Sequence, residues 1–260
     1  MDEPSNMVFP LVDEYMGIHM KVDFRSLRPG RVKVVASSRR FRKELSYGFV
    51  HGLWWVWLRD GRSAASVPPG ARKAVEEILS DVRRSEQLFD PNLAEQLQVP
   101  VNEALRKAGL KAADRVIYSL GFACNASLLR RHPYGDCRRL VDEIVPPAEG
   151  LRLPKHCFPD GIVYGVVADG MVVSVAFVHG TGIMEDQIAD LGVETAPAYR
   201  RRGYAKTVVS AVVEHITRTG GEACYGCSPE NDASSATARS VGFIPYRTSL
   251  ILSAPRPDLR

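Results

Sequence analysis

Apolar positions along this chain follow two periods, and the places where one gives way to the other mark its elements. Ala205, Val208, Val209, Val212, Val213 and Ile216 fall at i, i+3, i+4, i+7, i+8 and i+11, the spacing of one face of a helix. Upstream, Ile162 to Val167 and Met171 to Val178 are apolar runs without alternation, which predicts strands buried on both faces. Ala168-Asp169-Gly170 joins them as a hairpin turn, since glycine accepts positive φ. Downstream, Glu222 to Ser228 reads as a short strand. Asn231-Asp232-Ala233-Ser234 opens a small-residue helix ending at Gly242-Phe243, and Leu250-Ile251-Leu252 is a last strand.

The N-terminal half has its own pattern. Arg31 to Ala36 reads as a strand, and Tyr47 to Leu58 as a long aromatic one that Asp60-Gly61 turns into Ser63 to Val67. Val75, Ile78, Leu79 and Val82 form a helical stripe. Asp90-Pro91 supplies an N-cap and first-turn pair for a further helix, which Pro100 is expected to break; Asn102 to Ala108 resumes helical composition and stops at Gly109. Arg115 to Phe122 is another strand. Trp55 and Trp57 share one face of the aromatic strand and Trp54 takes the other, which favours core packing over a ligand-facing wall.

With 260 residues, 45% of them hydrophobic, the chain can bury one large core or two small ones. A net charge of +4 implies no strong polyanion partner. Basic residues cluster at Arg39-Arg40-Phe41-Arg42-Lys43, Arg130-Arg131 and Arg200-Arg201-Arg202, and the first two read as solvated faces. A nucleic-acid platform of tryptophans beside Arg39 to Lys43 stays as an outlying third reading, which the core-packing assignment disfavours. The start, Met1-Asp-Glu-Pro-Ser-Asn, lacks the charged and apolar regions of a signal peptide, so a cytoplasmic protein is expected. Asp169-Gly170 interrupts the longest apolar run, which argues against membrane insertion. The five cysteines, Cys124, Cys137, Cys157, Cys224 and Cys227, are odd in number and irregularly spaced, which points to free thiols. In a continuous strand Cys224 and Cys227 point to opposite faces, and the histidines show no ligand spacing, so no metal is expected.

The stretch Val193-Glu-Thr-Ala-Pro-Ala-Tyr-Arg-Arg-Arg-Gly203-Tyr-Ala205 runs from an apolar strand into the amphipathic helix through a basic turn. Unpaired N–H groups and the dipole at a helix N-terminus bind anions. Neither G-x-x-x-x-G-K-[ST] nor G-x-G-x-x-G is present. Arg200-x-x-Gly203-x-Ala205 instead resembles the R/Q-x-x-G-x-G/A signature of the GNAT superfamily of acyl-CoA-dependent N-acyltransferases. The preceding hairpin, and Asn231 followed by a helix and Gly242-Phe243, are similar to that family in order. The resemblance covers about Arg138 to Leu252.

It implies an α+β fold: a mixed, mostly antiparallel GNAT-type sheet flanked by helices, with an N-terminal α+β accessory region. Residues 1–130 would be the accessory or substrate region and 131–260 the acyl-CoA-binding catalytic domain. It implies acetyl-CoA as cosubstrate and an amine acceptor, and is compatible with a homodimer. Backbone groups of Val193, Glu194 and Thr195 would meet the pantetheine arm, and the strand that carries them would be splayed from Glu222 to Ser228 to admit it. Arg200, Arg201, Arg202, Gly203, Tyr204 and Ala205 would hold the pyrophosphate. Asn231 is either a helix cap or a cofactor contact, and the motif context favours contact. Two positions depart from the family. Its Tyr seven residues after the Asn is Ala238 here, and its Glu five residues before the Asn is Gly226. Candidate bases are then Glu194 and Asp190, which share a parity on their strand, and the candidate acid is Tyr246, with Tyr225 beside it; an acidic residue near three arginines can equally form an ion pair. Two readings follow: an N-acetyltransferase acting on a primary amine, and an acyl-CoA-binding regulatory module without turnover.

Overall fold

A computed structural model describes residues 8–42, 49–141, 145–154 and 161–255. Tyr47, Lys43 and Cys157, and the first six residues, lie outside the described residues. The described residues form two compact units. One comprises Asp13–Gly121 and the stretch from Pro245 onward, and the other comprises residues 8–12 with Phe122–Ile244.

In the first unit the aromatic strand β2 (Val50–Leu58) forms a hairpin with β3 (Ser63–Val67), Trp55 facing Ala65. Strand β1 (Val32–Ala36) runs parallel to β3 on its other side. The C-terminal strand β10 (Ile244–Ala254) is longer than the expected Leu250–Leu252 and pairs antiparallel with β2. With β4 (Arg115–Cys124) the order is β1-β3-β2-β10-β4. Trp55 is fully buried and its indole N–H donates to Ser63 Oγ at 3.0 Å, which fits the core reading of the tryptophans.

Helices α2 (Arg72–Ile78) and α3 (Pro91–Lys107) close over this core. The stripe expected to run helically to Val82 leaves the helix after Ile78, although Leu79 and Val82 remain buried. Asp90 does cap α3, accepting from the Asn92 N–H at 2.9 Å. The expected break at Pro100 does not occur, because α3 passes through it. Ala94, Leu97, Val101, Ala104 and Leu105 lie on one buried face that spans the proline, and burial of that face offsets a cost of about 3 kcal/mol for Pro inside a helix.

An element without sequence forecast is α1 (Pro10–Met20). Asp13 on it accepts the phenolic proton of Tyr246 and pairs with Arg62 at 2.8 Å, while Arg62 also binds Asp60 and the Phe24 carbonyl. Asp13, Arg62 and Tyr246 are almost wholly removed from water and satisfy one another, while Asp60 lies at the exposed end. Asp13→Ala leaves a shielded guanidinium and a buried hydroxyl short of a partner. It should lower stability by about 3 kcal/mol, read as a fall in the urea midpoint, against less than half of that for Asp60→Ala at the exposed end. Equal losses for the two variants would remove the network from the account of stability.

The cluster at Arg39 to Arg42 corrects the expectation of a solvated face. A 3₁₀ turn over Ser38–Phe41 points Arg40 inward, and it is fully buried with its guanidinium donating to the His19 carbonyl at 2.9 Å and the His51 carbonyl at 3.5 Å.

The second unit holds β5 (Asp136–Arg139), β6 (Val163–Ala168), β7 (Met171–Val178), β8 (Ile188–Thr195) and β9 (Glu222–Cys227), in the order β9-β8-β7-β6-β5. All pairs are antiparallel except β8 with β9. The forecast hairpin is present, and both turn residues take positive φ, 52° at Asp169 and 73° at Gly170, as a two-residue turn requires. Residues Val172 to Ala176 of β7 are buried in succession, as lack of alternation predicts. Helix α4 (Tyr204–Thr217) lies across β6 to β9 on Val208, Val209, Val212 and Val213, all fully buried, and α5 (Asp232–Val241) packs against α4 and β9. The molecule is thus α+β, a mixed sheet flanked by helices. Among the described residues no helix is long and apolar enough to cross a membrane.

Candidate functional site

Strand β8 has different partners along its two edges. Against β7 it is paired from Leu191 to Thr195. Against β9 the ladder covers Ile188 to Leu191, opposite Glu222 to Tyr225, and no pair among the described residues continues it. Asp190 and Ala196 bond to β7, so the even residues aim their backbone groups that way. Beyond Leu191 it is the backbone groups of Val193 and the Thr195 N–H that lie on the edge where no strand partner continues among the described residues, a template for an extended ligand. The opening starts at Gly192, where a Cβ would stand 2.3 Å from the Phe177 ring. A side chain there would displace the Phe177 ring, which lies across Gly192.

The end of β8 is pinned. Thr195 Oγ1 meets Ser174 Oγ at 2.8 Å, the Ala196 N–H donates to the Val173 carbonyl at 2.9 Å, and Arg200 Nε donates to the Thr195 carbonyl at 3.2 Å. A 3₁₀ turn, Pro197–Tyr199, leads to extended Arg200, left-handed Arg201 (φ 61°), and left-handed Gly203 (φ 88°). Alternating handedness of this kind turns successive N–H groups to one side and makes an anion nest. Gly203 is the N-cap of α4 and no side chain caps the helix. The first helical N–H to bond back is that of Thr207, to the Gly203 carbonyl at 3.3 Å, so the N–H groups of Tyr204, Ala205 and Lys206 point out of the helix end unused by it. Arg201 and Arg202 are exposed, and among the described residues none of the three arginines forms an ion pair with a carboxylate. Among the described residues the turn is a concentration of positive charge without a carboxylate partner.

Glu194 is half-buried, sits in the open stretch of β8, and forms no ion pair among the described residues. Asp190 shares its parity but lies where the ladder to β9 is closed, opposite Cys224. Four residues of strand put about 13 Å between them, so they serve as alternatives and not as a pair. Tyr246 lies in the first unit, 5% exposed, and its hydroxyl donates to Asp13; burial first, then that bond, raises its pKa. Tyr225, the last residue of β9 in register with β8, is buried against Phe243, and burial raises its pKa also. Asn231 caps α5, its Oδ1 accepting from the Ser234 N–H at 3.0 Å, which leaves its amide NH₂ as the group available to a ligand. Among the described residues no group of three or more His, Cys, Asp or Glu could hold a metal ion.

Two contributors carry no sequence signal. Arg201 adopts positive φ without being Gly or Asn. Tyr134, in a loop, rests beside Tyr204 with ring centroids 5.7 Å apart.

Residues 179–252 match the family model described as FR47-like protein, a GNAT-related family, and this span contains β8, the arginine turn, α4, β9 and α5. The C-terminal part of the chain is GNAT-like. No curated protein matches the chain. Among solved structures the chain is similar to a GNAT-family protein from Novosphingobium aromaticivorans, with 22% identity and a TM-score of 0.44 over 55% of this chain and 67% of that one. It is similar also to an acetyltransferase from the GNAT family from Colwellia psychrerythraea, with 16% identity and a TM-score of 0.41 over 58% of this chain and 62% of that one. A GCN5-related N-acetyltransferase from Kribbella flavida gives 16% identity and a TM-score of 0.42 over 66% and 79%. The chain thus spans less than two thirds of the Colwellia protein's length. Within the GNAT-like part, the open edge of β8 and the turn before α4 are contiguous in sequence, so one ligand long enough to follow the backbone meets both.

Proposed function

We propose that this protein is an N-acetyltransferase that moves the acetyl group of acetyl-CoA to a primary amine by direct attack in a ternary complex. The observation that carries this reading is the ladder between β8 and β9 ending at Leu191, with the open edge running directly into the nest at Arg201 to Gly203. A pantetheine arm carries amide groups and fits an extended backbone edge, and a pyrophosphate fits a nest lined with arginines. In this reading residues 131–260 carry the chemistry, and residues 1–130 contribute to the acceptor side.

The arm lies along Val193 to Thr195, whose backbone donors polarise the thioester carbonyl as its oxygen takes up charge. The pyrophosphate rests on the N–H groups of Tyr204 to Lys206 with Arg200, Arg201 and Arg202 around it, and Asn231 contacts the cofactor through its NH₂. The neutral amine attacks the carbonyl carbon, Glu194 accepts the proton the nitrogen loses, and the tetrahedral intermediate collapses with cleavage of the C–S bond. A thiol is acidic enough, with a pKa near that of cysteine at about 8.5, to leave as thiolate and take its proton afterwards. Ala238 at the family's Tyr position is then no obstacle. Positioning supplies much of the acceleration, on the order of 7–11 kcal/mol for well-aligned reactants.

Glu194→Gln should lower kcat by about 100-fold with affinity for acetyl-CoA unchanged. A kcat that stays near the wild-type value in Glu194→Gln but falls in Asp190→Asn would pass the role to Asp190. The alternative, an acyl-CoA-binding regulatory module without turnover, is favoured by one observation, that Gly226 and Ala238 stand at both of the family's usual catalytic positions. Calorimetric titration with acetyl-CoA followed by a panel of primary amines separates the two readings. Micromolar binding with CoA release supports the transferase, binding without release with any amine supports the module, and no binding removes both.

A further inference from the structure

The rim of the arginine turn carries an unexplained row of aromatic rings. Tyr134 is 58% exposed, yet its ring lies 5.7 Å from that of Tyr204, and Tyr204 lies 6.4 Å from Tyr199. Tyr199 is fixed at its far end, its hydroxyl donating to Asp169 Oδ2 at 2.9 Å, and the guanidinium of Arg202 lies over its face at 5.2 Å. The loop carrying Tyr134 is held close, since a Cβ on Gly135 would come within 3.9 Å of the Tyr204 ring. None of these rings belongs to the buried core of the unit. An aromatic held by neighbours but left open to water on the edge of a phosphate nest presents a π-face beside positive charge, which is what a nucleobase carrying phosphates needs.

We infer that Tyr134, Tyr204, Tyr199 and Arg202 form a shelf for an adenine nucleotide bearing phosphate on both sides of its ribose, the nucleotide end of acyl-CoA. The base stacks on the exposed tyrosine face, and Arg202, ordered over Tyr199, faces the phosphates. The inference rests on the acetyl-CoA reading above and adds to it that affinity is concentrated in the nucleotide end. The same chemistry occurs in free adenosine 3′,5′-bisphosphate, so that compound serves as a second probe.

The test is calorimetric titration of the full chain with acetyl-CoA, adenosine 3′,5′-bisphosphate and S-acetylpantetheine, for the wild type and for Tyr134→Ala and Tyr134→Phe. Tyr134 is exposed, so neither variant disturbs the core. The expected result is that Tyr134→Ala weakens acetyl-CoA and the bisphosphate by about tenfold alike, that Tyr134→Phe restores both because stacking needs the ring and not the hydroxyl, and that S-acetylpantetheine is unaffected. Wild-type affinity for acetyl-CoA in Tyr134→Ala overturns the shelf while leaving the acetyl-CoA reading in place. If the wild type binds the bisphosphate through Tyr134 but not acetyl-CoA, the shelf stands for a free nucleotide and the transferase reading falls. If it binds neither, both fall.

Discussion

Replacing Gly203 by valine should weaken acetyl-CoA binding by about 100-fold or more while the chain stays folded. Gly203 holds φ at 88°, a region costing an L-residue roughly 1–2 kcal/mol and a β-branched one more. No heavy atom among the described residues lies within 4 Å of a Cβ built there, so the Cβ itself enters open space. The strain is relieved by rotating the turn, and that rotation swings the N–H groups of Tyr204 to Lys206 off a common target. Helix α4 remains in place because its four core valines are fully buried. Gly203→Asn separates conformation from space, since Asn tolerates left-handed φ but brings a side chain. Binding retained in Asn and lost in Val assigns the effect to backbone aim, whereas loss in both assigns it to space that the phosphates occupy. Unchanged affinity in Val would remove the phosphate cradle altogether.

What the sequence made legible was whatever depends on local pattern. The valine stripe of α4, the Asp169-Gly170 turn and the Asp90 cap each rest on residues within one or two turns of one another, and each appears as expected. Arg200-x-x-Gly203-x-Ala205 and the order of the elements around it carried the resemblance to GNAT proteins, because a phosphate turn constrains a few adjacent residues. Other features depend on partners distant in the chain. Helix α1 has a blurred apolar pattern because Asp13 and His19 are buried beside Val12, Tyr15, Met16 and Met20, while Ile18 on its outer face is exposed. Pro100 reads as a breaker until the buried face on both sides of it is known. Arg40 reads as a surface charge until the His19 and His51 carbonyls are seen to receive it. The end of the β8–β9 ladder is a matter of register between segments about thirty residues apart, which no composition reports. The open edge that supports the functional reading is therefore expected only through the family resemblance, and not from composition or spacing.

Acidification from pH 7.5 to pH 5 should cost the first unit about 4 kcal/mol of stability, through two of its buried histidines. His19 and His51 both face Trp54, with ring centroids 5.5 and 6.1 Å from it, and the Arg40 guanidinium lies over the same indole at 5.8 Å. Burial, with Arg39, Arg40, Arg247 and His51 adding to it, lowers the His19 pKa to about 3. Burial and then Arg40 and Arg115 lower that of His51 to about 4. Both are thus neutral in the folded chain at pH 5, whereas the unfolded chain takes up a proton on each below about 6.5. Stability is full above 6.5 and falls as the pH drops towards the folded values, since the unfolded state binds the extra protons. At pH 5 each histidine contributes a loss of roughly 2 kcal/mol, a large share of the 5–15 kcal/mol typical of a domain. The urea midpoint should drop by about 2 M over this range, and His51→Gln, which cannot titrate, should halve the drop. A midpoint that does not move with pH, or a drop equally large in His51→Gln, would mean that these imidazoles are charged within the fold and that the Arg40 cluster holds its charge in some other way.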